Sequence, residues 1–333
     1  MENRKTIKII VAALIAALLL AGACAVMGRF ITPLDAADGD DAAAAIKTMT
    51  GRTAEVKCGD TVATAFVYKS VEGGALTVTC WHAVKGDAPS AQFRFYGEDL
   101  FVSGATLQGY DPDYDIAVFW VPTDKNFDPP QIYSASVGEE VFLLGNSDGD
   151  GIALFSGRVS VPDDIVHCTD EQADSNLNNK NLPAVRITAP VNNGCSGSPV
   201  FDAKGRLIGM GFYQVFGTAE RPVYDMNYAV PAEIIASAVR VCEISGGRID
   251  RSGVTLTGAI TGEGDDTLRV YEARFDELWL NTVFRRENGA VYAYSGEKKK
   301  KVLSLAGKPV TTIAQLLAAA MEYEYFGGEP VTE

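Results

Sequence analysis

Short apolar runs separated by Gly, Asp and Pro follow one another from about Thr53 onward, and they constrain the fold of this chain more than any other feature. Before Pro231, none of these runs has the length and apolar period of an ordinary helix. Many short strands at such spacing are typical of sandwiches and barrels, so we predict an all-β fold. The predicted strands are Val62–Tyr68, Ala75–Cys80, Ala91–Tyr96, Ile116–Val121, Glu140–Leu144, Ile152–Ser160, Ala184–Ala189, Pro199–Phe201 and Leu207–Tyr213.

The C-terminal part of the chain has a different pattern. Pro231 opens an apolar-periodic segment, which predicts a helix over 232–239 that closes the β-rich part. After Gly246 the pattern predicts strands and then a helix, an order typical of a compact α+β module. These later elements are predicted at Val254–Ala259, Thr267–Ala273, Val291–Tyr294 and Ile313–Met321.

The N-terminal residues predict a membrane segment. Arg4, Lys5 and Lys8 precede a run over 9–27 that lacks charged and strongly polar residues and is close to membrane-spanning length. Basic residues before such a run place the N-terminus in the cytoplasm and the later chain outside it. We therefore predict a single transmembrane helix in the cell membrane. A cleaved signal peptide and a lipoprotein signal with a lipid on Cys24 are the alternatives.

These patterns divide the chain into four predicted segments. Residues 1–28 are the membrane anchor or signal segment, and residues 29–50 are a linker with a short helical stretch. Residues 51–245 are the β-rich domain, and residues 246–333 are the α+β module. Both folded segments have lengths within the usual range of domains.

The charge of the chain limits its partners. Lys and Arg number 29 against 43 Asp and Glu, which gives a formal net charge of −14. Because phosphate binding requires clustered basic residues, we predict no nucleic-acid partner. Outside the N-terminal segment an odd number of cysteines leaves at least one unpaired, and the sequence leaves their pairing open. These cysteines are Cys58, Cys80, Cys168, Cys195 and Cys242.

A serine between two glycines is the main candidate for chemistry. Ser196 lies in the run Asn193–Pro199. A nucleophilic serine needs backbone N–H groups turned toward the developing oxyanion, and glycines permit that backbone, although ordinary turns use the same residues. His82 at the end of an apolar run and Asp115 directly before another supply a base and an acid; a core histidine and a turn aspartate are the alternatives. The order His, Asp, Ser is that of chymotrypsin-type peptidases.

Six segments match, in order, the strands and turns of one known family. They are Ala63–Val67, Leu76–Val84, Gly109–Val118, Val137–Asn146, Phe155–Ser160 and Asn227–Pro231. Through them the chain resembles the trypsin-like serine peptidases of the HtrA/Deg family over about residues 53–242. The resemblance implies a chymotrypsin-like double β-barrel and the activity of a serine endopeptidase. A catalytically inactive relative that binds peptides or acts as a scaffold is the alternative.

The resemblance also implies roles for individual residues. His82 would be the general base, Asp115 would orient it, and Ser196 would be the nucleophile. The backbone N–H groups of Gly194 and Ser196, together with that of Cys195, would form the oxyanion hole. Cys195 as the nucleophile would require a shift of one residue in register.

The substrate-binding residues are predicted by position. Pro190 lies six residues before Ser196, where trypsin-like enzymes place the base of the specificity pocket. Because no acid stands there, we predict cleavage after small or medium apolar residues. Met210, Gly211 and Phe212 are predicted to pair with the substrate as a strand.

The segment between Pro162 and Pro183 is polar and acidic, and we predict a loop there that is either regulatory or without function. It contains His167 and Cys168, and two adjacent ligands fall short of a coordination shell, so we predict no metal site. We also predict no cofactor.

The C-terminal module resembles, in part, the PDZ domain that follows the peptidase in this family. The similarity is clearest over Val302–Thr312, whereas a carboxylate-binding loop is not recognisable near Ser252–Gly258, so the module is predicted to be a degenerate PDZ-like domain. The predicted partners are protein or peptide substrates and the membrane, and the family resemblance implies a homotrimer.

Overall fold

The computed structural model describes residues 37–168, 180–214, 225–249, 260–262, 267–268, 284–295 and 298–326. The predicted membrane segment over 9–27, Cys24 and the predicted strand Val254–Ala259 lie outside these residues. Within the described ranges, no helix combines the length and the apolar character needed to span a bilayer.

Nineteen strands and four helices make up the described secondary structure, besides two short 3-10 turns. In chain order they are α1 (Ala37–Arg52), β1 (Thr53–Cys58), β2 (Thr61–Val71), β3 (Gly74–Cys80), α2 (Trp81–Val84), β4 (Gln92–Phe95), β5 (Thr106–Asp111), β6 (Ile116–Pro122), β7 (Glu140–Gly145), β8 (Ala153–Cys168), β9 (Lys180–Ile187), β10 (Pro199–Phe201), β11 (Leu207–Gln214), β12 (Asn227–Pro231), α3 (Ala232–Ser245), β13 (Gly247–Arg248), β14 (Ile260–Gly262), β15 (Thr267–Leu268), β16 (Phe284–Glu287), β17 (Ala290–Ser295), β18 (Lys298–Leu305), β19 (Lys308–Pro309) and α4 (Ile313–Phe326).

The first sheet has seven strands in the order β13-β5-β6-β3-β2-β1-β4. Strand β3 lies at its centre and is buried along its whole length, as its apolar and β-branched residues favour. The parallel strand β13 occupies the outer edge of β5, so the hydrogen bonds of the described strands leave this sheet open. The sequence predicted two closed barrels. The first sheet is only barrel-like, because its two edge strands are not hydrogen-bonded to each other.

The second sheet is a closed barrel of six strands in the order β10-β11-β12-β9-β8-β7. Its interior is filled by apolar side chains from every wall, among them Val141, Leu143, Ile187 and Val200. Closure removes exposed edges and leaves a packed core rather than a channel. The all-β prediction for this part of the chain is confirmed.

The predicted loop between Pro162 and Pro183 is wrong at both of its ends. Strand β8 continues to Cys168 and β9 begins at Lys180, so the two strands pair far beyond the barrel wall. Polar residues can continue the strands here because β8 and β9 form hydrogen bonds with each other's backbone groups. Most side chains in this part of β8 are only half-buried, so they need not be apolar. Residues 169–179 lie outside the described part of the chain.

Two elements cross the predicted segment boundaries. Helix α1 continues to Arg52, and its Ala45 and Met49 are buried against the β-rich domain. Arg52 donates from its guanidinium to the backbone carbonyls of Val67 and Tyr68, both at 3.3 Å. At the C-terminal boundary, which was predicted after residue 245, β13 (Gly247–Arg248) still pairs with β5 of the first sheet. The first sheet therefore extends past the predicted boundary.

The described part of the C-terminal segment contains a sheet in the order β15-β14-β18-β17-β16, with β19 paired to β18, and the helix α4. A tight turn through Ala306 and Gly307 joins β18 to β19 before the helix begins. This strand, turn and helix coincide with the segment that resembles a PDZ domain. The PDZ assignment itself stays a prediction.

Candidate active site

His82 lies on α2, a single helical turn that follows β3 directly. Ala83 and Val84 belong to this turn, and Lys85 closes it by donating its N–H to the carbonyl of Trp81 at 2.9 Å. The turn begins where the central strand leaves the sheet, so His82 is held by a rigid element and its side chain is 28% exposed.

Asp115 lies at the end of the turn between β5 and β6 and is completely buried. Its φ of 58° is in the left-handed region that aspartate enters more readily than most residues. In this conformation one carboxylate oxygen accepts the backbone N–H of His82 at 2.7 Å, and the other lies 2.5 Å from Nδ1 of the same residue. The backbone carbonyl accepts the N–H of Trp81 at 3.0 Å. Three bonds thus fix the imidazole against the carboxylate.

Ser196 completes a row of three side chains. Its Oγ lies 3.0 Å from Nε2 of His82, on the opposite side of the ring from Asp115. His82 and Asp115 come from the first sheet, whereas Ser196 precedes β10 of the closed barrel. The structure therefore brings together all three residues that the sequence proposed for the chemistry.

The glycines around Ser196 are required by the backbone. Gly194 has a φ of +83°, and a Cβ atom there would lie 2.0 Å from the carbonyl oxygen of Asn146. Gly197 has a φ of +91°, and a Cβ atom there would lie 1.9 Å from the carbonyl oxygen of Thr64. Both positions exclude any side chain, by conformation and by space.

Thr64 holds the loop that carries Ser196, a role that the sequence did not reveal. Its N–H donates to the carbonyl of Ser196 at 2.9 Å, and its hydroxyl donates to the carbonyl of Gly194 at 2.8 Å. The hydroxyl also accepts the N–H of Asn146 at 2.9 Å, and the carbonyl of Thr64 accepts from the hydroxyl of Thr79 at 2.7 Å. The only available signal was a threonine within the apolar run Val62–Tyr68.

The backbone of the loop leaves two N–H groups available for an anion. The carbonyl of Asn193 accepts the N–H of Asp148 at 2.7 Å. Because the peptide is trans, the N–H of Gly194 points away from that bond. Within the described ranges neither this N–H nor that of Ser196 has a protein acceptor. The prediction that Cys195 contributes is wrong, since its N–H donates to the carbonyl of Asn192 at 2.9 Å and closes a turn.

Comparison with known proteins agrees with this geometry. Residues 63–210 match the family of trypsin-like peptidase domains. The serine protease Do-like HtrA of Lactococcus lactis subsp. cremoris is 25% identical over 192 residues, which cover 54% of this chain and 44% of that protein. Residues 63–210 are thus similar to trypsin-like peptidase domains, and these relatives are HtrA-type serine proteases.

Two further similarities describe the extent of the match. The HtrA-like serine protease of Staphylococcus epidermidis is 29% identical over 218 residues, covering 61% of this chain and 34% of that protein. A crystal structure of Deg5 aligns with a TM-score of 0.47 and 20% identity, covering 63% of this chain and 97% of that one. The matched part of the chain thus spans less than half the length of the Lactococcus lactis and Staphylococcus epidermidis proteins.

In the β-rich domain Cys195 is a core residue. Its side chain is completely buried in the closed barrel beside Val141, Leu143 and Val200. Burial raises the pKa of its thiol to about 11, so the thiolate is scarce at neutral pH. This geometry opposes the alternative in which Cys195 is the nucleophile, because Ser196 and not Cys195 faces His82.

The predicted substrate strand is wrong for two of its three residues. Met210 pairs with β10 on one side and with β12 on the other. Gly211 donates its N–H to the carbonyl of Ser198 at 2.9 Å and accepts the N–H of Gly197 at 2.8 Å. Both residues are therefore internal to the sheet and their backbone groups are used. At Phe212 the situation changes, because no residue of β10 lies opposite it and the ladder to β12 skips it.

Pro190 is half-buried between Ala189 and Val191, both of which belong to the core of the closed barrel. Val191 packs close to Gly211, where an added Cβ would lie 3.4 Å from the valine side chain. The segment that carries Pro190 thus passes close to the strand that leads to Phe212. Its assignment to the specificity pocket stays a prediction.

Proposed function

We propose that this chain is a serine endopeptidase in which Ser196 is the nucleophile, His82 the general base and Asp115 the residue that orients the base. The observation that carries the proposal is the continuous row of contacts, 2.5 Å from Asp115 to Nδ1 and 3.0 Å from Nε2 to the serine Oγ. A nucleophile in contact with a base, which is oriented in turn by a third group, is the arrangement that acyl transfer requires.

The reaction follows from these positions. His82 accepts the hydroxyl proton at Nε2 while the serine Oγ attacks the carbonyl carbon, and the buried carboxylate of Asp115 stabilises the imidazolium that forms. The N–H groups of Gly194 and Ser196 bind the oxyanion; loss of one such donor costs about 10²- to 10³-fold in rate. His82 then gives the proton to the leaving amine, and water hydrolyses the acyl-enzyme by the same steps.

The substrate would bind as an extended strand that pairs with the backbone from Phe212 onward, where β11 passes beyond β10. The pairing of the sheet supports this position, because a peptide can be added as a strand only beside an unpaired strand edge. Met210 and Gly211 already lie between neighbouring strands and have no such edge. With Pro190 at the pocket, we expect cleavage after small or medium apolar residues. Profiling with a peptide library tests this, and a dominant preference for lysine or arginine would contradict it.

We further propose that the peptidase domain acts outside the cytoplasm and is held at the cell membrane by residues 9–27. The basic residues before this run support that orientation. Mass spectrometry of the mature N-terminus distinguishes an intact anchor from cleavage and from a lipid on Cys24.

Labelling with a fluorophosphonate probe tests the proposed activity. We expect the wild-type protein to be labelled and Ser196→Ala to be unlabelled, because the probe reacts only with an activated serine. Ser198→Ala is the matched control, since Ser198 is completely buried in the same loop, and it should still be labelled. Absence of labelling in the wild type, or equal labelling of Ser196→Ala, would favour a non-catalytic peptide-binding role.

A further inference from the structure

The thiol of Cys80 lies close to the contact between His82 and Asp115, and the proposed mechanism does not use this thiol. Cys80 is the last residue of β3 and is completely buried. Its Sγ lies 3.5 Å from the carbonyl oxygen of Gly211. The sulfur, a ring nitrogen of His82 and a carboxylate oxygen of Asp115 all lie within 4.8 Å of one another.

These three groups are the chemical set that zinc prefers. Tetrahedral Zn²⁺ takes thiolate, imidazole and carboxylate ligands at about 2.0–2.3 Å, which places ligand atoms roughly 3.3–3.7 Å apart. The contact between Nδ1 and the carboxylate, now 2.5 Å, must therefore widen by about 1 Å. The imidazole of His82 is the member that can move, by side-chain rotation on a backbone that stays in place, because it is 28% exposed while the side chain of Asp115 is fully enclosed.

The charge of such a complex suits a buried position. Zn²⁺ carries two positive charges, which one thiolate and one carboxylate neutralise, and the imidazole ligand is neutral. Burial of an uncompensated charge would be costly, whereas a neutral complex avoids that cost. The distances between the three ligand atoms and the net charge of the complex therefore both favour a divalent cation such as Zn²⁺.

We infer that Cys80, His82 and Asp115 form an inhibitory site for Zn²⁺ or a similar thiophilic divalent cation. Binding converts the Cys80 thiol to a thiolate and releases one proton to solvent. The metal takes Nδ1 of His82, and the proton of that nitrogen moves to Nε2, so the ring remains neutral. Nε2 then bears a hydrogen toward Ser196 and can no longer accept the serine proton. Binding itself is independent of the proposed function; the inhibition rests on it.

Binding is tested with Co²⁺ as a spectroscopic substitute for zinc. We expect Co²⁺ to produce thiolate-to-cobalt charge-transfer absorption with the full-length wild type and equally with Ser196→Ala, which reports binding without any need for activity. Cys80→Ala should lose this absorption. Cys242→Ala is the matched control, because Cys242 is a buried thiol on α3, and it should retain the signal.

Inhibition is tested with Zn²⁺ against a peptide substrate, each variant being compared with its own activity in EDTA. Loss of even an outer-shell partner weakens metal binding about 10- to 100-fold, so Cys80→Ala should raise the inhibition constant more than about 100-fold. Cys80→Ser, which keeps the size of the side chain, should behave in the same way if the alanine variant fails to fold.

The outcomes separate this inference from the proposed function. Labelling of Ser196 without cobalt–thiolate absorption, or absorption unchanged in Cys80→Ala, overturns the metal site and leaves the peptidase proposal intact. Absorption that depends on Cys80 in a protein without peptidase activity supports the site and contradicts the peptidase proposal.

Discussion

At the scale of single residues, Thr64 shows how one hydroxyl connects two sheets. It belongs to β2 of the first sheet, yet it binds the carbonyl of Gly194 and the N–H of Asn146, which lie in the loops of the closed barrel. Thr64 and Asn146 are both completely buried, so the N–H of Asn146 has no water as a substitute partner. Thr64 is thus a positioning residue for the loop that carries Ser196.

We expect Thr64→Val to lower kcat of peptide hydrolysis more than it raises KM. The valine side chain has the same shape, but it leaves the buried N–H of Asn146 and the half-buried carbonyl of Gly194 without their partner. A buried polar group that loses its partner costs about 1–3 kcal/mol. Rates of hydrolysis and thermal unfolding measure the two effects.

Thr77→Val is the control for this substitution. Thr77 is an equally buried threonine on the neighbouring strand, and its hydroxyl has no hydrogen-bond partner among the described residues. Its loss should leave both activity and stability unchanged or slightly improved. Equal losses in the two variants would show that Thr64 acts only through packing.

At the scale of elements, the loop between β9 and β10 shows how much backbone shape the site needs. We expect Gly194→Ala to abolish peptidase activity. The new Cβ would collide with the carbonyl oxygen of Asn146 and displace the N–H of residue 194, which is a proposed oxyanion donor. Gly138→Ala is the control, since Gly138 has a φ of +86° with no atom within 4 Å of the added Cβ. It should lose stability of about 1 kcal/mol and retain activity. Full activity of Gly194→Ala would contradict the assigned oxyanion donors.

The sequence predicted nine strands of the two sheets and the three side chains of the site, because short apolar runs and the family motifs are local signals. Its list of strands lacked β1, β5, β12 and β13. It did not predict the turn around His82, the use of the Cys195 N–H, or the edge at Phe212. Each of these depends on a partner distant in the chain: Asp115 for the turn, the loop backbone for Cys195, and β10 for the edge. A one-dimensional pattern contains no information about which of several neighbouring N–H groups is already bonded.

At the scale of the whole molecule, two carboxylates join the β-rich domain to the C-terminal segment. Asp163 of β8 accepts the N–H of Ile313 at the start of α4 at 3.1 Å and lies 3.3 Å from Nε of Arg286. Glu322 of α4 accepts the hydroxyl of Ser237 of α3 at 2.8 Å. Burial raises the pKa of the Asp163 carboxyl and outweighs the opposing effects of Ile313 and Arg286.

This direction of shift predicts how stability depends on pH. A carboxyl whose pKa is higher in the folded state favours folding most at low pH, and its contribution is lost as pH rises through the folded pKa. Asp163→Asn remains neutral and can still accept the N–H of Ile313. We therefore expect the difference in Tm, variant minus wild type, to increase between about pH 4 and pH 7.

The neighbouring Asp164→Asn provides the contrast. Asp164 pairs with the guanidinium of Arg186 at 2.5 Å, and loss of this pair should lower Tm at pH 7. A pH-independent difference for Asp163→Asn would contradict the account given for Asp163.

The division of the site between two sheets has a consequence for the order in which the protein becomes active. His82 and Asp115 belong to the first sheet, which is complete except for β13 once β6 has been made, whereas Ser196 is positioned only when β7 to β12 have closed. A nascent chain that exposes the first sheet alone holds a base and an acid without a nucleophile. The proposed activity can therefore arise only after β12, which ends at Pro231, has been made.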